Sequence, residues 1–430
     1  MKSAWVLSVA VAVAVSLLTN VAQADNVVTN TEHAEDLLVV DRQLWVATRG
    51  GIEVYSIGSE VRETIFTSED GLARNHVVDL ALVEGKIRAR TLEHRCTMEN
   101  ARFECVKSTL YKTTPKKHVR HRGFRVTATA VVGDTSYLAT AGDGVWKVRG
   151  NSQKRITAKG QICSNHITAI QSYAGRTWFG SFDEGLCSTT DMVHFKTHEF
   201  GALMVNDLEV TPRGLFIAAS EGLFVTRDGE HFERNTWVSQ RGVNGLAFDG
   251  KSLFVSSLSC LWRIRIRGGP RDQEWWAPGG SRSLQSVAAT DKGVWLATED
   301  RGLVQQTKEG FQVFDRSAGL PESWMLDVAI DTRGNVYGAS LRSGVVRIAS
   351  TGTIQSIKST DKEWGLFMGR VGTDIWFGSQ NGAARKDGAS FVRQITPHPN
   401  VHVIAQIGSD LFFGTEGGLL VRSADERGSR

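Results

Sequence analysis

Proline, tyrosine and helical periodicity are all scarce in this chain. Seven prolines and five tyrosines occur in 430 residues, and the prolines fall mostly between short apolar runs, where they break no strand ladder. Apolar residues at the 3.6 spacing of an amphipathic helix are missing almost throughout, which argues against a helical bundle or an alternating α/β fold. Beyond the N-terminus, no apolar run approaches the roughly 20 residues of a membrane-spanning helix. Neither charge sign dominates: the formal net charge is only +4, so no global field recruits nucleic acid. His-x-His, Cys-x-x-Cys and clustered Asp-x-Asp spacings are lacking, and neither a metal nor a cofactor is expected.

The N-terminus is the exception to the shortage of apolar runs. MKSAWVLSVAVAVAVSLLTNVAQAD places Lys2 before an apolar stretch that ends near Leu18, followed by Ala22-Gln23-Ala24. That is the layout of a signal peptide, residues 1–24, cleaved after Ala24. The expected mature chain, 25–430, is then periplasmic or secreted. No Asn-x-Ser/Thr acceptor lies in it.

What is abundant is a repeated phrase. LWVATRGGIEVYS at 44 returns as VWLATEDRGLVQQ at 294, IWFGSQNGAARKD at 375 and LFFGTEGGLLVRS at 411. Its aromatic occupies Trp45, Tyr137, Trp178, Phe216, Phe254, Trp295, Tyr337, Trp376 and Phe412, with spacings of 36 to 42 residues from 137 onward. The double gap between 45 and 137 holds a degraded copy, VVDLALVEGKIRARTLEHRC, which brings the count to about ten units. A fixed period near 40 marks a repeat architecture. Within a unit, VNDLEVT, GLFIAAS, GLFVTRDG and HFERNT are apolar runs separated by Gly or Asp turns, the pattern of four short strands.

Four strands per period describe one blade of a β-propeller, so the expected fold is all-β. The aromatic fills the wedge between blades, and the small pair behind it lets their faces approach. The last unit has no fourth strand of its own, and NVVTN at 26–30 has no hairpin. The N-terminal strand is expected to close the ring as the outer strand of the last blade, protecting an open edge. The first reading is one ring of ten blades; two smaller propellers are the alternative, since propellers usually have four to eight.

Two resemblances follow from particular stretches. AGLPESWMLDVAIDTRGNVYGASLRSGVV at 318–346 resembles the repeat of bacterial two-component-regulator propellers, with partial copies at 69 and 160. TRDGEHF at 226–232 and RKDGASF at 385–391, and more weakly TTDMVHF at 189–195, resemble the Asp-box turn of BNR/sialidase-like propellers. That likeness implies turn-capping roles for Asp228, Asp387 and Asp191. Sialidase chemistry is not expected: Tyr137 and Tyr337 occupy the packing position of the repeat, and no Phe-Arg-Ile-Pro phrase marks a first arginine.

Candidate binding residues come from the loops that lead into each inner strand, which share one face of a propeller with the loops between second and third strands. They are Asn75, His76, Asn165, His166, Asn206, Asn244, Trp324, Trp364 and His402. Neutral hydrogen-bonding groups with a few aromatics suit a polar polymer or a protein loop. His76 and His166 belong to separate units and read as scattered turn histidines. The basic stretch KTTPKKHVRHRGFR at 112–125 and the pair Trp275-Trp276 are lesser candidates for an anionic envelope component and for a sugar or protein contact.

Five cysteines in an exported chain leave one unpaired. Cys96 and Cys105 flank a hairpin-length insert and are expected to form a disulfide. Cys163 and Cys187 are expected to form a second on the loop face, with Cys260 as the buried remainder; exchange, with Cys260 as partner of Cys187, is the alternative. The functional expectation is a non-catalytic exported scaffold or sensor module that binds a protein or an envelope polymer. The alternative is a polysaccharide hydrolase or lyase using acids such as Asp79, Asp207 and Asp327.

Overall fold

The computed structural model describes residues 27–423, apart from 109–118, 122–123, 239–241, 268–272, 277–282, 292, 395 and 397. The expected signal peptide and most of the basic stretch lie outside the described residues, as do the side chains of Trp275 and Trp276. Among the described residues, no helix is long and apolar enough to cross a membrane.

Among the described residues, ten antiparallel sheets form, nine of four strands and one of five. Their inner strands are Ala34–Val40, Val77–Val83, Phe124–Val132, Ile167–Tyr173, Val205–Thr211, Val243–Phe248, Leu284–Thr290, Met325–Ile330, Gly365–Val371 and Val401–Ile407; we number the blades 1 to 10 in that order. The short strand Val27–Val28 pairs with the last strand of blade 10, Val27 opposite Leu420 and Val28 opposite Leu419. The N-terminal strand therefore occupies the outer position of the last blade, as expected.

The single ring of ten is corrected by which inner strands lie side by side. Blades 4 to 10 follow one another in sequence, and the inner strand of blade 10 then packs against that of blade 4. The seam has its own apolar cluster, with Ile162, Ile167 and Phe179 from the blade 4 side against Phe412 and Leu419 of blade 10. Seven blades thus close on themselves. Blades 1 to 3 form a separate array in which blade 1 is central, packed against blade 2 on one side and blade 3 on the other. Ring closure at seven satisfies the wedge geometry with the usual blade number, and the three-blade array is inserted between the closing strand and the first blade of the ring.

Hydrogen bonds from one inner strand to the next give the direction of travel. Thr168 donates to the Val205 carbonyl, Asn206 to that of Val243 and Asn244 to that of Leu284. Asp207 accepts from the Leu246 amide and Asp327 from that of Met368. In the array Asp36 accepts from the Leu80 amide, while Thr127 of blade 3 donates to the Ala34 carbonyl of blade 1. Blade 3 therefore stands before blade 1, and the array runs 3-1-2.

That order explains the degraded second unit. One face of blade 2 is apolar, with Val77, Leu80, Ile87, Ala89, Cys96 and Phe103 packed against blade 1. On its other face Arg88 stands where the repeat has its aromatic: it lies opposite Ala81, as Trp45 lies opposite Leu38. Arg90 replaces the small residue that follows. Asp79, with no following blade to accept from, pairs with Arg90 at 2.9 Å. A terminal repeat whose outer face is polar is the cap that a stacked array requires.

Both expected disulfides are present. Cys96–Cys105 joins paired strands of blade 2, and Cys163–Cys187 ties the loop before blade 4 to the third strand of that blade. Cys163 lines the loop face and Cys187 is fully buried, so this second bridge runs inward from that face. Cys260 is buried and in neither disulfide.

Candidate functional site

A cleft of about 400 Å³ opens where the three-blade array meets the ring. Its walls are loops of the expected face. Asn30, Glu32, His33, His76 and the 163–166 segment come from loops leading into inner strands; Arg49, Gly142, Asp183, Glu184 and Glu416 come from loops between second and third strands.

Reciprocal bonds fix the floor of this joint. The Asn30 amide donates to Asn165 Oδ1 at 2.7 Å, Asn165 Nδ2 returns to the Asn30 carbonyl at 2.8 Å, and Asn30 Nδ2 reaches the Ile162 carbonyl at 2.7 Å. Gly50 permits this approach, because a Cβ there would collide with the Asn30 carbonyl. Asn75 is buried, accepting from the Ser68 amide at 2.7 Å and donating to the Gly417 carbonyl of blade 10 at 2.5 Å. Blade 2 is thereby tied to the ring as well.

Four of the expected binding residues make bonds within the fold. Asn75, Asn165, Asn206 and Asn244 use their side-chain amides in joints between blades or between modules. A buried backbone carbonyl or amide needs such a partner, and a repeat fold supplies it from the same position in each unit. Trp324 and Trp364 are exposed on the loops of blades 8 and 9, at 38% and 51% of their surface, outside the cleft.

The histidines are not scattered. His33 Nε2 and His76 Nε2 both approach Glu35 Oε1, at 3.3 and 3.4 Å. Across the cleft, His402 Nε2 lies 3.3 Å from Glu416 Oε1, and the His166 and His402 rings have centroids 4.6 Å apart. Burial, then the Arg49 charge, lowers the pKa of His33 to about 4. Burial and the His402 charge lower that of His166, whereas the hydrogen bond from His402 holds Glu416 down at about 2. Burial raises the pKa of Glu184, with Asp183 adding to the effect. At neutral pH His33 and His166 are thus neutral imidazoles, and Glu416 is an ionised carboxylate.

Glu32, His33, Arg49, Asp183, Glu184 and Glu416 were not expected from sequence. One signal marks His33: NTEHAEDL, ARNHVVDL and CSNHITAI carry His at the same place before the inner strands of blades 1, 2 and 4. The second-to-third-strand residues leave no such mark, because turn chemistry alone explains their types.

Asp207, Glu209 and Asp327 belong to the inner strands of the ring. Burial raises their pKa values to about 7, 8 and 6, respectively. Both aspartates accept backbone amides, which is repeat architecture instead of a paired acid and base. A folded pKa above the unfolded value gives stability that is complete below the unfolded carboxylate range and lost as pH rises through the folded value. Histidines lowered by burial act only below pH 6.5. Unfolding stability should therefore fall by about 2 kcal/mol between pH 6.5 and 9, and Glu209→Gln should remove most of that slope. Urea unfolding at stepped pH measures this; a flat wild-type profile would contradict it.

At two of the three Asp turns the carboxylate caps backbone amides of the turn. Asp191 Oδ1 accepts from the Val193 and His194 amides, and Asp228 Oδ1 from those of Glu230 and His231. Asp387 sits at a hairpin end opposite Ser390.

No protein-family model and no curated protein matches the sequence. Solved structures do match. The extracellular domain of the one component system BT4673 of B. thetaiotaomicron aligns with TM-score 0.51 at 12% identity, covering 91% of this chain and 70% of that one. PorZ, an essential bacterial surface component of the type-IX secretion system of Porphyromonas gingivalis, aligns with TM-score 0.53 at 13% identity, covering 91% and 68%. A virginiamycin B lyase of Staphylococcus aureus aligns with TM-score 0.50 at 13% identity over 60% of this chain and 94% of its own. At these identities the likeness is one of fold: this chain has a β-propeller architecture.

Proposed function

We propose that this protein is an exported, non-catalytic binding module that takes a protein segment or an envelope polymer in the cleft between its three-blade array and its seven-blade ring. The observation that carries this reading is the cleft itself. Loops of both modules converge on one polar concavity with cationic, anionic and imidazole groups, and the joint beneath is fixed by bonds between the Asn165 side chain and the Asn30 backbone. Rigid scaffolds that present variable loops are binding surfaces. Extracellular regulator domains and a secretion-system surface component share the fold, and the two disulfides suit an oxidising compartment. Asp207 and Asp327, two of the acids named for the hydrolase or lyase alternative, accept backbone amides in the joints of the ring.

The test is crosslinking in cells that express the tagged chain, in parallel with Arg49→Ala/Asp183→Ala and Trp324→Ala/Trp364→Ala variants. A defined protein or glycan held by wild type, and reduced at least tenfold by the cleft pair alone, is the expected result. Loss in the tryptophan pair alone would move the site to the rim of blades 8 and 9. Turnover of a polysaccharide by the purified chain would replace binding with catalysis.

A further inference from the structure

We infer that His166, His402 and Glu416 form a binding site for a divalent first-row transition metal of the zinc class, placed across the seam where the seven-blade ring closes. One donor atom from each residue lies within 4.8 Å of the other two. His166 comes from the blade 4 side of the seam, and His402 and Glu416 from blade 10. Two imidazoles and one carboxylate form a donor set for zinc or a neighbouring metal, whereas calcium and magnesium favour all-oxygen sites. Three protein ligands leave a coordination position, and His166 and Glu416 both line the cleft, where water or a ligand would complete it.

The surroundings hold the donors in place. Asn400 Nδ2 donates to Glu416 Oε2 at 2.6 Å, which leaves Oε1 for the histidine side. The His166 ring stacks on Phe182, with centroids 4.8 Å apart and planes at 18°. Its backbone amide donates to Ser164 Oγ, whose hydroxyl donates to Asp183. Such outer contacts orient metal ligands. A third imidazole, His398, is 4% exposed and packs against Gly417, the neighbour of Glu416; among the described residues its Nδ1 has no hydrogen-bond partner. The cluster escapes any sequence motif because the two histidines are 236 positions apart and meet only through ring closure.

The bound metal would join blade 4 to blade 10 beside the closing strand. This inference does not depend on which partner the cleft takes, since it is tested on the purified chain alone. After chelator treatment, the chain from residue 25 is titrated calorimetrically with Zn²⁺, and with Co²⁺ followed by visible absorption. One equivalent of Zn²⁺ should bind, and His166→Ala, His402→Ala and Glu416→Gln should each weaken it about 100-fold. At a hundredfold excess over the dissociation constant, Zn²⁺ should raise the unfolding temperature of wild type by about 5 °C and leave the three variants unmoved. Far-UV spectra and unfolding temperatures in chelator identify any variant that has lost its fold. His33→Ala/His76→Ala is the comparison and should bind as wild type. Absence of binding at 100-micromolar Zn²⁺, or binding that ignores the three substitutions or disappears in the comparison variant, would overturn the site.

Discussion

A chain that begins at residue 32 should unfold about 10 °C below one that begins at residue 25. The removed segment supplies the fourth strand of blade 10, through the Val27–Leu420 and Val28–Leu419 pairs. It also carries Asn30, which bonds Asn165 and the Ile162 carbonyl, and Thr31, whose amide donates to Gln161 Oε1 at 2.7 Å and whose hydroxyl donates to the buried Glu53 at 2.9 Å. Each such bond contributes about 1 kcal/mol net, so the set amounts to about 5 kcal/mol. For a unit of this size that is worth roughly 10 °C. The loss has a second component. Glu53 is fully buried and, among the described residues, keeps Tyr55 and Arg62 as partners once Thr31 is gone, and blade 10 gains an unpaired edge. A peptide of residues 25–33 added to the truncated chain should restore most of the midpoint. An unchanged midpoint without the peptide would show that the seam between blades 4 and 10 holds by side-chain packing alone.

How far the sequence reaches is clearest at the repeat position itself. Trp45, Tyr137, Trp178 and their equivalents, and the orphan strand before the first unit, announce four-stranded blades and a closing strand, because packing and edge pairing act within one period. Ring size is a different kind of property. It depends on which faces are apolar, and the informative residues were Arg88 and Arg90, which look like decay of a repeat until their face is seen to have no following blade. The site was less legible still. Asn75, Asn165, Asn206 and Asn244 have the residue type of a binding surface, yet backbone groups at the joints claim their amides. His166 and His402 reach each other only because the ring closes at seven blades, a contact that no spacing along the chain encodes.

Trp178→Ala should cost about 3 to 5 kcal/mol of ring stability, the range for emptying a large buried aromatic site. Trp178 is fully buried between blades 4 and 5, among Leu208, Leu215 and Ile217. Its indole N–H donates to the Tyr173 carbonyl at 3.0 Å, and Gly229 lies so close that a Cβ there would stand 3.0 Å from the ring. The neighbours cannot collapse freely into the space, since His198 stacks on the indole with centroids 4.7 Å apart and is itself fixed by Ser188 at 2.8 Å. A spectroscopic consequence follows. Burial holds the pKa of His198 at about 4; with the indole gone, water reaches the imidazole and its titration should move up toward the ordinary value near 6.5. Arg88→Ala is the comparison at the same repeat position. Arg88 meets solvent on the capping face of blade 2 and pairs with Glu84 at 3.3 Å, so its loss should cost less than about 1 kcal/mol. Denaturant unfolding of the two variants, with the His198 titration followed by NMR, decides the point. Similar costs at the two positions would mean that blade 2 packs against something on its arginine face.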